Sequence, residues 1–184
     1  MRRLGAFLRH LKIASLITVA FVLSALIQVA VIGAAGPFLI FVEVQGNITA
    51  GGLDGAVSVT VSSDGKHVYA VGYIGDAVTV FSRDATTGAL TFVEAHKNGV
   101  GDVDGLDGAT SVTVSPDGEN LYVASYANDA VATFSRNSTT GALIFVEFHK
   151  DGVAGIDGLN GAISVTVSPD AKHVYAASQS DDAV

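Results

Sequence analysis

The chain has 184 residues, no cysteine, 21 glycines and only 15% charged residues. That excludes a disulfide framework and any thiolate metal site. After Lys12, six Lys and Arg face eighteen Asp and Glu; so acidic a body repels phosphate backbones, argues against nucleic-acid binding, and reads as a charge that keeps the protein soluble.

The first element is a leader. Residues 1–12 are basic through Arg2, Arg3, Arg9 and Lys12, and residues 13–36, IASLITVAFVLSALIQVAVIGAAG, carry no charge. As a helix this run is about 36 Å long, enough to cross a hydrocarbon core of about 30 Å. The basic flank predicts that everything after it is exported. Residues 1–36 are therefore expected to be an N-terminal hydrophobic helix, a signal peptide or a signal anchor, with membrane contact confined to residues 13–36. The small residues Gly33, Ala34 and Ala35 offer a cleavage site near Ala35, leaving a secreted or periplasmic product; the length of the apolar run favours a retained membrane anchor. Arg2-Arg3 hints at a twin-arginine signal, but the residues that follow depart from that pattern.

Residues 37–184 form the second region, and a repeat organises them. GLDGAVSVTVSSDGKHVYAVG returns 53 residues on as GLDGATSVTVSPDGENLYVAS, and 53 residues further as GLNGAISVTVSPDAKHVYAAS. The units start near Gly55, Gly108 and Gly161, and the first two share 32 of 53 residues without a gap. A fixed period of this length marks solenoids, propellers or arrays. Each unit holds four strand-like runs rich in Val, Phe, Tyr and Thr; in the second they are TSVTVS, NLYVAS, AVATFSR and LIFVEFH. SPDG and TTGA between them carry turn chemistry, and short loops make an antiparallel meander. Four strands per unit is the plan of a propeller blade. The predicted fold is all-β: a partial β-propeller of four-stranded antiparallel blades.

The series SPDG-x-x-LYVAS-x-x-x-DAV-x-x-FSR-x-x-TTGAL-x-FVE resembles the repeat of the lactonase-like seven-bladed propellers, the group that includes 6-phosphogluconolactonases and fungal carboxymuconate cyclases. It is also similar to the YVTN repeats of surface-layer propellers. The resemblance implies a lactonase-type hydrolase, or a related cyclase, acting on a cyclic ester through a central channel, with no cofactor. No catalytic motif of the group maps onto a position of this chain.

Residues 38–45, FLIFVEVQ, match the fourth strand of a unit, and Val184 is in phase with Val78 and Val131. The chain therefore reads as one fourth strand, two whole blades, two more strands and a stub, just under three blades. Rings close with about four to eight blades, so the expectation is a fragment of a longer protein, with residues 38–45 as the ring fastener usual in the group. The alternative is a ring completed in trans by further copies. Open edges are expected to drive self-association. Residues 37–184 alone are expected to be inactive, because a channel site needs walls from other blades.

Function is expected on the loops at the face opposite SPDG and TTGA. Asp102, Asp104 and Asp107 superficially suggest Ca²⁺ but lack an EF-hand pattern, and read as a turn-forming loop; no metal is expected. Glu94 with His96, and Glu147 with His149, place a carboxylate beside an imidazole on one side of a strand. Their recurrence in successive units argues for a structural role. Ser58, Thr60, Ser62, Ser111, Thr113 and Ser115 alternate with Val on the innermost strand and read as polar strand filling. Asn47 and Asn137 begin sequons that matter only in a eukaryotic secretory pathway. The rival to an exported lactonase is a non-catalytic surface or binding propeller that presents its loop face to a partner.

Overall fold

The computed structural model describes residues 28–34, 39–46 and 51–184. Among the described residues there are twelve strands and no helix. β1 (Gln28–Ala34) and β2 (Leu39–Gly46) form a two-stranded sheet. β3 (Ala56–Val61), β4 (His67–Gly72), β5 (Ala77–Arg83) and β6 (Leu90–Lys97) form the first whole blade. β7 (Ala109–Val114), β8 (Asn120–Ser125), β9 (Ala130–Arg136) and β10 (Leu143–Lys150) form the second. β11 (Ala162–Val167) and β12 (Val174–Ser178) form a final two-stranded sheet. Every pairing is antiparallel between strands consecutive in the chain, the meander that the turn residues predict.

The turns follow from their side chains. In the first unit Ser62 Oγ donates to Asp64 Oδ1 at 2.6 Å and accepts from His67 N at 3.0 Å, closing the tip between β3 and β4. In the second, Gly118 at φ 77° supplies the left-handed step that closes the SPDG turn. Asn137 Oδ1 accepts from Thr139 N and Thr140 N at 2.9 and 3.0 Å, so this sequon asparagine caps its own turn.

Bulges repeat with the sequence. The register slips between Val80 and Phe81 opposite Glu94 and Phe92, and between Phe145 and Glu147 opposite Phe134 and Thr133. It slips in the same way between Val31 and Ile32 opposite Glu43 and Phe41. β1 and β2 are thus the third and fourth strands of a blade. A different slip, one residue after the start of the innermost strand, recurs in β3–β4, β7–β8 and β11–β12. β11 and β12 are thus a first and second strand. Two whole blades stand between two complementary halves.

Over Gln28–Ala34 this corrects the expectation of helix. The apolar run fits a buried strand as well as a helix, since periodicity alone does not separate the two. Val29, Val31 and Ile32 are β-branched, and β2 offers a pairing edge. Nor is residue stretch 38–45 a lone strand, since β2 pairs with β1. The rest of the expected helix, residues 13–27 and 35–36, lies outside the described residues, as does Asn47. No described helix is long and apolar enough to cross a membrane.

The largest apolar cluster lies between the two whole blades. Tyr69, Val71, Val78 and Val80 of the first meet Leu121, Val123, Phe134 and Leu143 of the second, with Val103 and Leu106 of the connecting loop. Phe134 packs edge-on against Phe145 at 5.5 Å and against the His96 ring at 5.7 Å. Burial of such side chains stabilises by about 1.5–3 kcal/mol each, so the blades hold each other. β3 lies against β7, and β7 against β11, as innermost strands do around a propeller axis.

Candidate functional site

The SPDG and TTGA turns share one face, as predicted, and there a clasp joins the two whole blades. Arg136, at the end of β9, is buried. Its Nε donates to Tyr69 Oη at 2.6 Å, one Nη to Gly118 O at 2.9 Å, and the other to Asp64 at 3.2 Å and to His67 Nδ1 at 2.9 Å. Tyr69 Oη in turn donates to Gly141 O at 3.0 Å. Burial pushes the Tyr69 phenol up and, together with Arg136, the His67 imidazole down. The Ser62 hydroxyl holds the Asp64 carboxyl well below the usual range, helped by Lys66 N and Arg136. These groups are all committed to one another, so this face is scaffold.

Innermost-strand hydroxyls are scaffold too. Ser58 Oγ accepts from Val112 N at 3.2 Å, and Ser111 Oγ from Val165 N at 3.2 Å. Each carries one innermost strand onto the next. Glu94 Oε1 accepts from Leu143 N at 2.7 Å and meets His96 Nε2 at 3.0 Å. Glu43 accepts in the same way from Leu90 N, while Gln45 Nε2 donates to Leu90 O at 3.1 Å. Glu147 meets only His149, at 3.5 Å, with both side chains exposed. Glu43 and Glu94, at the bulges, thus fasten their outer strands to the following blade.

The opposite face carries the β4–β5 and β8–β9 loops and the connections between blades. Asp76, in the left-handed region at φ 49°, accepts from Gly108 N at 2.9 Å; Asp129, at φ 54°, accepts from Gly161 N at 2.8 Å. Here the repeat breaks. The Asp107 carboxyl is raised by burial and then by the neighbouring Asp76, against the pull of Lys150. One unit later the residue in phase with Asp107 is Asn160. Tyr73, Ile74 and Tyr126 stand exposed on the same face, Tyr73 over Gly108 and Tyr126 over Gly161.

The acidic loop does not converge. Asp104 Oδ1 accepts from its neighbour Gly105 N at 2.7 Å, Asp107 turns to Asp76, and Asp102 is exposed. Among the described residues, the group of three carboxylates within ligand reach of one another is Asp151, Asp157 and Asp181. Residue patterns missed Asp76 and the Arg136 clasp. The available signals were the recurrence of Asp76, Asp129 and Asp182 at the 53-residue period, and Asn160 standing where Asp107 sets the pattern.

A family model described as lactonase, 7-bladed beta-propeller, matches residues 49–184. Among solved structures, a candidate 6-phosphogluconolactonase of Bacteroides uniformis is 25% identical, with a TM-score of 0.63 over 85% of this chain and 42% of that one. The periplasmic gluconolactonase of Pseudomonas aeruginosa is 25% identical, with a TM-score of 0.60 over 78% of this chain and 36% of that one. An uncharacterized Staphylococcus epidermidis protein is 30% identical over 81 residues, 44% of this chain and 23% of that protein. The chain therefore spans well under two thirds of each relative.

Proposed function

The chain belongs to the lactonase family of seven-bladed β-propellers, and from that membership we propose that it hydrolyses a lactone on the loop face of a closed ring. The family match over residues 49–184 carries this reading. Asp76 and Asp107 suit it, as neighbouring carboxyls on that face, of which Asp107 is more readily protonated than an ordinary aspartate. Water adds to the ester carbon; Asp76 takes its proton. The ring C–O bond breaks, and Asp107 gives its proton to the departing oxygen. The product is a hydroxy acid. A closed ring should turn over simple lactones in a pH-stat, and single chains should not, for want of channel walls. Asp107→Asn should lower kcat by ~100-fold or more. No turnover by the closed ring above spontaneous hydrolysis would refute the proposal.

A second reading rests on Tyr73, Ile74 and Tyr126. Three exposed apolar side chains beside the carboxyl pair suit a non-catalytic binding surface. Retained binding to a partner by Asp107→Asn, without lactone turnover in either form, would favour it.

Export belongs to the same proposal. The basic residues 1–12 and the uncharged stretch that follows favour translocation of the rest, and the Pseudomonas relative is periplasmic by its description. A C-terminal reporter should be active outside the cytoplasm. One active only inside would contradict export.

A further inference from the structure

We propose that Asn160 is a self-modifying site: the main-chain nitrogen of Gly161 closes on the Asn160 side chain and expels ammonia, with Asp129 as the base, leaving aspartate or isoaspartate. The proposal does not depend on the lactonase reading.

Two Asn-Gly dipeptides occur in the chain, Asn98-Gly99 and Asn160-Gly161. A glycine after asparagine leaves the attacking nitrogen unscreened by any side chain, so the sequence alone makes both of them candidates. The fold treats them differently. Asn98 Oδ1 accepts from Leu106 N at 2.9 Å, which pins the side chain, and Gly99 N donates to the Val103 carbonyl at 2.9 Å. A carbonyl oxygen is no base for an amide proton. Asn160 is exposed, and its hydrogen bonds among the described residues belong to its main chain. Its side chain is free to turn toward the next nitrogen.

That nitrogen has the partner that the reaction needs. Gly161 N donates to Asp129 Oδ1 at 2.8 Å, so it already shares its proton with a carboxylate. At the other end of the same peptide group, the Asn160 carbonyl accepts from Ser180 N at 3.2 Å. A base at the N–H and a donor at the oxygen together stabilise the charge that develops on the peptide as the proton leaves. Neither contact is peculiar to the last sheet. Between the two whole blades, Gly108 N donates to Asp76 Oδ1 at 2.9 Å, and Asn128 N to the Asp107 carbonyl at 3.1 Å. There an acid, Asp107, stands in place of the amide. Nor is Gly161 replaceable. At φ 68° it lies in the left-handed region, and a Cβ there would sit 2.5 Å from Ser180 Oγ and 3.1 Å from the Tyr126 ring.

Asp129 takes the proton from Gly161 N, and the nitrogen lone pair forms a bond to Asn160 Cγ. The bond from Cγ to the side-chain nitrogen breaks, and that nitrogen leaves as ammonia with the proton that Asp129 returns. Water then opens the cyclic imide. Addition at Cγ gives aspartate. Addition at the main-chain carbonyl carbon gives isoaspartate, with one more methylene in the chain path. The sum is amide and water to acid and ammonia. An aspartate at position 160 is in phase with Asp107, which neighbours Asp76 as position 160 would neighbour Asp129. Ageing thus gives the second connection the carboxyl pair that the first carries by sequence.

Peptide mapping of the full chain, aged in neutral buffer, reads both sites in one sample. The Asn160 peptide should gain the mass of an amide-to-acid change ~10-fold faster or more than the Asn98 peptide. Isoaspartyl methyltransferase should label its isoaspartate fraction. In urea the two rates should converge, because the contrast comes from the fold. Asp129→Asn keeps an acceptor for Gly161 N and tolerates the left-handed backbone at φ 54°, but cannot take a proton. It should slow Asn160 by ~10-fold or more. Asn98 in the same sample monitors the fold and should keep its slow rate. An unchanged or faster Asn160 in Asp129→Asn overturns the proposal, since the hydrogen bond would then be a restraint and not a route for the proton. So does an Asn98 that converts as fast as Asn160 in the unmodified chain without urea.

Discussion

Arg136 Nε lies 2.6 Å from Tyr69 Oη, joining the third strand of one blade to the second strand of the blade before it. The two residues are 67 positions apart in the chain. The same guanidinium reaches Asp64 and His67 of that preceding blade and Gly118 of its own.

Removing that guanidinium should be costly. Arg136→Met keeps much of the apolar stem but leaves Asp64 and the Gly118 carbonyl without their buried donor. The expected loss is about 3 kcal/mol in urea denaturation, the scale for breaking a buried pair. Arg136→Lys should recover little of it, because an ammonium cannot reach Tyr69, Gly118, Asp64 and His67 together. A lysine variant of full stability would show that charge alone suffices.

His67 sets a pH dependence. Burial, then Arg136, lowers its pKa in the folded state. The unfolded chain therefore binds the proton first. The stability that His67 contributes is present above its unfolded pKa of about 6.5 and is lost as pH falls from there through the folded value. His67→Asn, the residue that the second blade carries as Asn120, should flatten the stability profile between neutral pH and about pH 5. Midpoints of urea denaturation across that range, wild type against variant, decide it. An unchanged slope would remove His67 from the account.

Ser58 should matter more than its exposed neighbours on β3. Its Oγ is the acceptor for Val112 N across the blade boundary. Ser58→Ala leaves that backbone donor without its partner, at about 1–2 kcal/mol. Val57→Thr, on the open side of the same strand, should change the stability of the single chain by under ~0.5 kcal/mol. Equal losses in both variants would contradict the assignment.

The Asp76–Asp107 pair predicts a titration. Asp76→Asn removes one cause that raises Asp107, so the Asp107 carboxyl should titrate at lower pH, closer to an ordinary aspartate. Carbon-detected NMR of the side chain reads this directly. A raised folded pKa costs stability as pH rises through it. Asp107→Asn should therefore stabilise the fold slightly at pH 7, by well under ~1 kcal/mol because the group is exposed. An Asp107 midpoint unmoved by Asp76→Asn would dissolve the pair.

What the residues disclosed beforehand was whatever is local. The period, the strands from TSVTVS to LIFVEFH, and the SPDG and TTGA turns depend on neighbours a few positions away, and all appear where expected. The Arg136 clasp was hidden because its partners come from different units. Nothing near Arg136 in the chain marks it as buried. Asp107 was noticed as part of an acidic loop, but its meaning came from Asp76, 31 residues earlier, which the fold brings beside it. The helix expected over residues 28–34 failed for a related reason: an unbroken apolar run is ambiguous until a pairing edge such as β2 decides.

The placement of the glutamates at the bulges has a consequence for how such a molecule changes over generations. Glu43 serves Leu90 as Glu94 serves Leu143, each reaching the unit that follows. Asp76 and Ser58 likewise reach one unit ahead, and Arg136 one unit back. A duplicated stretch of 53 residues would bring both halves of every fastening with it. It could be spliced in, or lost, without breaking a single bond between its neighbours. Gene duplication and recombination can therefore alter the number of blades in one event. What then selects among the products is only whether the last unit finds the first.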